Sequence, residues 1–112
     1  MIEVSVLYEQ DRIRSFTLSG HAGSGPYGYD LVCAAVSAVA FGSVNAVAAL
    51  ADPDLEIDQG EDGGYLRVAL LGSLDGADAD KTQLLLNGML ISLETIERDY
   101  SKFLCIRKKE GG

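Results

Sequence analysis

The chain has 112 residues, 47% apolar and 23% charged, with a formal net charge of −8. That length supports one hydrophobic core without disulfide or metal staples, so residues 1–112 are read as a single domain. The acidic balance excludes a nucleic-acid surface, which needs clustered Lys and Arg, and two cysteines do not make a disulfide framework.

The opening run MIEVSVLYE alternates and carries acids, unlike a secretion signal. A reducing, cytoplasmic location is expected, with Cys33 and Cys105 both reduced. Residues 2–8 place Ile2, Val4, Val6 and Tyr8 on one face and Glu3, Ser5 and Leu7 on the other, the pattern of a half-buried strand. A short polar turn over 9–12 leads to a second strand over 13–19, with Phe16 and Leu18 inward. So short a connection allows only antiparallel pairing. The hairpin ends at Gly20, which delivers His21 to the strand end.

Residues 22–29, AGSGPYGY, contain three glycines and one proline, which predicts a turn-rich, mobile loop. Asp30 is placed as the N-cap of a helix running to about residue 50. Residues 31–51 carry no charge, a length that could span a bilayer. Alanine, serine, glycine and Asn45 fill the segment, and its neighbours Asp30 and Asp52 supply no basic flank. It is therefore read as a buried helix, with no membrane partner. Being apolar nearly all round, it must be covered on more than one side, by a second helix or a second subunit.

Asp52-Pro53 stops this helix. Residues 52–62 carry six acids and no base. Within them, 55–59 alternates as a short strand with Leu55 and Ile57 inward, GEDGG is a turn, and 65–71 returns as a fourth strand. The acids read first as the solvated face of an edge hairpin, where charge discourages strand-to-strand association, with a docking surface for a basic substrate as the alternative. Asp78 or Asp80 is placed as the cap of a second helix ending near Asp99, with Leu86, Met89, Leu90, Leu93, Ile96 and Tyr100 as its core stripe. Residues 101–108 read as a final strand, with Cys105 in the core. The order β-β-α-β-β-α-β, helices to one side of the sheet, predicts an α+β two-layer domain.

The candidates for chemistry lie in residues 20–37, GHAGSGPYGYDLVCAAVS. His21 is the only histidine, and Cys33 follows it by twelve residues. With Asp30 as cap, Cys33 falls in the first helical turn, where unpaired N–H groups and the helix dipole favour a thiolate. Those N–H groups, that of Cys33 included, could hold an oxyanion. An ionised Asp30 would oppose the thiolate. Two readings of Cys33 stand at this point, a nucleophile with His21 as base or a small buried apolar residue. Asp30 is open between helix cap and imidazole partner, and Ser37 between bonding near the sulfur and close packing. One histidine and two distant cysteines do not fit a structural metal site, and no phosphate-loop lysine is present.

The runs GHA (20–22) and GYDLVCAAVS (28–37) resemble the ribosomal-processing cysteine protease family of bacteria, whose pattern is GHA, a variable loop and G-x-D-[IL]-V-C-A-[AG]-[VI]-S. The resemblance implies that His21 and Cys33 form the catalytic dyad of a peptide hydrolase. It implies substrate-binding or supporting positions at Gly20, Ala22, Gly28, Asp30 and Ser37, and a loop 22–29 over the substrate groove. It further implies a homodimer, no metal or organic cofactor, and a large-subunit ribosomal protein with an N-terminal extension as substrate. The rival expectations are a non-catalytic, ribosome-associated dimeric binding module and a redox-sensing thiol.

Overall fold

A computed structural model describes residues 1–20, 29–60 and 64–111, with the backbone alone at 29 and 30. The elements follow as β1 (Ile2–Glu9), β2 (Arg12–Ser19), α1 (Tyr29–Leu50), β3 (Leu55–Gln59), β4 (Tyr65–Leu70), α2 (Ala77–Asp99) and β5 (Leu104–Glu110). The strands form one mixed sheet in the order β3-β4-β2-β1-β5, antiparallel except for the parallel β1–β5 pair. The fold is the expected α+β arrangement of five strands and two helices.

Alternation in the strands decides what is buried. Ile2, Val4 and Val6 of β1, Phe16 and Leu18 of β2, and Leu66, Val68 and Leu70 of β4 meet one core. Val32, Val36, Ala40, Val44 and Val47 come down from α1, and Leu86, Met89, Leu90 and Leu93 from α2. Each such Val, Leu, Ile, Phe or Met side chain removed from water stabilises by about 1.5–3 kcal/mol. Tyr100 departs from the predicted stripe. It is exposed, and its carbonyl accepts from the N–H groups of Phe103 and Leu104, which turns the chain out of α2 into β5.

The β1–β2 connection is a two-residue turn, Gln10 and Asp11, both with positive φ (52° and 64°). That conformation matches the right-handed twist of a hairpin. A register shift opposite Leu7 and Tyr8 then bulges β2 at Arg14. The Arg14 guanidinium bonds both Glu9 carboxylate oxygens and the carbonyls of Leu70 and Gly72. Its hydrogen bonds to Glu9 outweigh desolvation and hold that carboxyl below its ordinary range. The stabilisation is therefore present above the ordinary carboxylate pKa and lost as pH falls through the lowered value.

Beside it, β4 ends before it can pair with Ile13. The gap is filled by Gln83 of α2, whose side-chain amide accepts from the Ile13 N–H and donates to the Ile13 carbonyl, both at 2.8 Å. A side chain thus stands where a further strand residue would be.

Both helix starts differ from expectation. α2 begins at Ala77 with Gly76 as N-cap at φ 113° and no side-chain cap, while Asp78 and Asp80 lie inside the first turn. There they still favour the dipole, and Asp80 also pairs with Arg12 at 2.9 Å. α1 begins at Tyr29, so Asp30 is already inside the helix rather than capping it.

Along α1, residues 31–50 have a mean hydropathy of 2.0, long and apolar enough to cross a membrane. One side of the helix is built into the core described above. The opposite side exposes Leu31, Ala35, Ala38, Gly42, Asn45 and Ala49, with no charged residue among them. The expected cover on more than one side is therefore met only in part within a single chain. Ile57 and Cys105 also depart from expectation. Ile57 lies on the helix side of the sheet but beyond the helices, 46% exposed. Cys105 pairs in register with exposed Glu3 on the other face, so it is half-buried there rather than in the core.

Candidate active site

At one end of the sheet, β2 finishes, β1 and β4 begin, and the first turns of α1 pass above. A cavity of about 260 Å³ opens there. Cys33, Ser37 and Phe41 line it from α1, standing at i, i+4 and i+8 along one helix row. Ile2, Leu18 and Leu66 form its apolar part, and Gly20, Gly64 and Tyr65 its other wall. The lining is mainly apolar, and Cys33 and Ser37 contribute to it from the α1 side. Cys33 is 9% exposed.

Gly20 has a specific reason to be glycine. Its φ is +102°, and a Cβ there would sit 2.5 Å from the Met1 carbonyl oxygen and 3.1 Å from the Ile2 Cα. Its N–H donates to the Gly64 carbonyl at 3.1 Å, which ties the end of β2 to the approach of β4. Only glycine takes this turn against so close a backbone. Gly20→Ala is expected to cost about 2–3 kcal/mol through strain and displacement. Urea unfolding measures that loss. An alanine variant as stable as the wild type would contradict this account.

His21, Ala22, Gly28 and the rest of the 22–29 loop up to Gly28 lie outside the described residues, as does the side chain of Asp30. Of the sequence-predicted site, the structure therefore brings Gly20, Cys33 and Ser37 to one cavity. It also alters one expectation about the chemistry. In a helix beginning at Tyr29, Cys33 is the fifth residue, and its N–H points back to the Tyr29 carbonyl. The unpaired donors are those of the first turn, residues 29–31, so they rather than the Cys33 N–H are available to an oxyanion.

Phe41, Tyr65 and Leu66 were not legible as site residues. Phe41 follows from the helix row already containing Cys33 and Ser37. Tyr65 and Leu66 depend on the pairing Ser19↔Tyr65 and Leu18↔Leu66, which no local pattern encodes. Among the described residues no three His, Cys, Asp or Glu side chains gather as a metal site.

The profile of the cysteine protease Prp family matches residues 1–105. The chain belongs to that family. Its relatives include the ribosomal processing cysteine protease Prp of Bacillus subtilis, 50% identical over 101 residues, covering 89% of this chain and 90% of that one. The Prp protease of S. aureus, crystallised with a substrate peptide, superposes with a TM-score of 0.87 at 34% identity, covering 97% of this chain and all of that one. A crystal structure from Streptococcus mutans gives 0.85 at 34% identity over 99% of this chain and 96% of that one. As a Prp family member, the protein is a cysteine protease, a hydrolase of the ribosomal processing type.

Proposed function

We propose that the protein is a cytoplasmic endopeptidase that removes the N-terminal extension of a large-subunit ribosomal protein, using His21 and Cys33 as its dyad. The observation that carries this is the shared cavity. Cys33 and Gly20, the residue before His21, line the same 260 Å³ space. His21 takes the Cys33 proton, and the sulfur attacks the scissile carbonyl to give a tetrahedral oxyanion. N–H groups of the first α1 turn stabilise that charge. His21 then passes the proton to the leaving amine, which departs as the C–N bond breaks and leaves a thioester. Water, deprotonated by His21, hydrolyses the thioester and restores the thiol.

The S. aureus Prp protease has also been crystallised with a covalently linked product peptide, which a thiol-acylation mechanism explains. A basic ribosomal partner suits the net charge of −8, chiefly by speeding encounter. The direct test mixes the protein with its own organism's ribosomal protein bearing the natural N-terminus, followed by mass spectrometry. Loss of a short N-terminal peptide, absent with Cys33→Ala and His21→Ala, is expected. Intact substrate after incubation with folded wild-type protein would overturn the proposal.

The homodimer belongs to the same reading. The uncharged outward face of α1, with Leu31 72% exposed and Ala38 and Gly42 allowing close approach, suits a second copy of the helix. Ala38→Glu, which sets a charge on that face, is expected to shift sedimentation from twice 11.9 kDa to the single-chain mass. A wild-type protein that sediments as one chain at high concentration would remove the dimer.

A further inference from the structure

The two edges of the sheet are finished differently. At β5, the outward N–H of Leu104 goes to the Tyr100 carbonyl at 3.2 Å, and that of Ile106 to the Glu97 carboxylate at 2.7 Å. Lys108 reaches Glu94 at 3.2 Å, so α2 covers this edge. At β3 nothing comparable is found among the described residues. The bonds Leu71 N–H to Asp54 carbonyl and Gly60 N–H to Tyr65 carbonyl set the phase of the β3–β4 ladder. In an antiparallel ladder of that phase, residues 54, 56, 58 and 60 bond to β4. Leu55, Ile57 and Gln59 then direct their N–H and carbonyl groups outward, away from the sheet.

The faces beside this edge differ in chemistry. Leu55, Ile57 and Gln59 pair with Leu70, Val68 and Leu66, so they share the helix side of the sheet. Ile57 offers 46% of its surface there. Glu56 and Asp58 pair with Ala69 and Arg67 on the opposite face. Glu56 is engaged by Arg67 at 3.0 Å, while Asp54 and Asp58 form no ion pair among the described residues. A strand added here would set alternate side chains beside Ile57 and beside Asp58, favouring apolar and basic residues in turn. A second copy of the same edge would oppose acids to acids, which disfavours self-pairing.

The edge also leads to the site. Gly60 is tied to Tyr65, and Gln59 pairs with Leu66, both lining the Cys33 cavity. From an added strand to the space between β4 and β2 is about 12 Å at sheet spacing, some four residues of extended chain. We infer that the outer edge of β3 receives an extended basic stretch of the substrate protein as an added strand, delivering the scissile bond to Cys33. This rests on the peptidase reading above, and it assigns substrate recognition to a position several residues from the cleaved bond.

The test compares a long peptide spanning the cleaved ribosomal junction with one trimmed to the residues beside it. Ile57→Pro removes an N–H that faces solvent, a position where an edge strand tolerates proline. Ile57→Val keeps that N–H. Asp58→Lys reverses the free charge and decides the matter if the proline variant does not fold. The preference for the long peptide, as a ratio of kcat/KM values, is expected to fall about tenfold in Ile57→Pro and in Asp58→Lys, but not in Ile57→Val. Binding of the long peptide to the Cys33→Ala protein, read by fluorescence anisotropy, should weaken by a similar factor when either change is added. Wild-type preference and wild-type binding in both variants would overturn the inference. Weakened binding without any cleavage by the wild type would instead overturn the peptidase reading and leave the docking edge in place.

Discussion

Cys33→Ala is expected to lower peptide cleavage by about four orders of magnitude or more, because it removes the proposed nucleophile and leaves only binding and oxyanion stabilisation. The fold should survive the change. Cys33 belongs to the buried core but also borders the cavity, and the change removes a single sulfur atom, so the expected loss of stability is about 1 kcal/mol. Cys33→Ser is the stricter version. It keeps the shape and a hydroxyl but presents a far weaker nucleophile at neutral pH. Circular dichroism and urea unfolding establish the fold, and chromatographic detection of the released peptide measures activity. Retention of a tenth of wild-type activity in either variant would exclude Cys33 as the attacking atom.

Gln83→Leu has the largest expected effect on stability. Ile13 is 1% exposed and Gln83 5%. Leucine would fill similar space but leave the Ile13 N–H and carbonyl without partners. Each orphaned buried group costs about 1–3 kcal/mol, so the loss should be about 3–4 kcal/mol. For a domain of this size that lowers the midpoint of thermal unfolding by roughly 15 °C. Asn87→Ala removes only a part-buried bond from Asn87 Nδ2 to the Gln83 carbonyl and should cost far less. A Gln83→Leu midpoint within a few degrees of wild type would show that the amide does not complete the sheet. Ile13 lies at the end of β2 opposite Gly20, so this staple and the reactive cavity occupy opposite ends of the sheet.

The fold was largely legible because it rests on periodicity. The two-residue alternation of β1 and the spacing of Leu86, Met89, Leu90 and Leu93 each announce their element without help from the rest of the chain. What stayed hidden depends on pairs far apart in sequence. No local rule predicts that Gln83 will complete the ladder at Ile13, or that Ile57 will extend past the helices that cover its neighbours. Helix starts were misjudged for a related reason. Asp30 and Asp78 favour the caps of helices by propensity, yet the backbone begins α1 and α2 before either of them.

For the site, motif spacing located Cys33 and Ser37, and Gly20 through the end of its strand. The far wall, Tyr65 and Leu66, comes from sheet register and could not be read locally. The expectation for the oxyanion donors moved with the helix start. A shift of two residues, from an expected first helical residue at 31 to Tyr29, transfers that role from the Cys33 N–H to the turn before it.

An activated thiol at Cys33 should reveal itself by alkylation. Exposure alone ranks the two cysteines the other way, since Cys33 is buried and Cys105 only half so. The measurement is a time course of iodoacetamide labelling near pH 7, with the labelled residue mapped and residual peptidase activity followed in the same samples. Cys33 is expected to be labelled faster than Cys105, with activity falling at the rate of Cys33 labelling and substrate peptide slowing both. Labelling of Cys105 first, or full activity in protein alkylated at Cys33, would contradict that expectation.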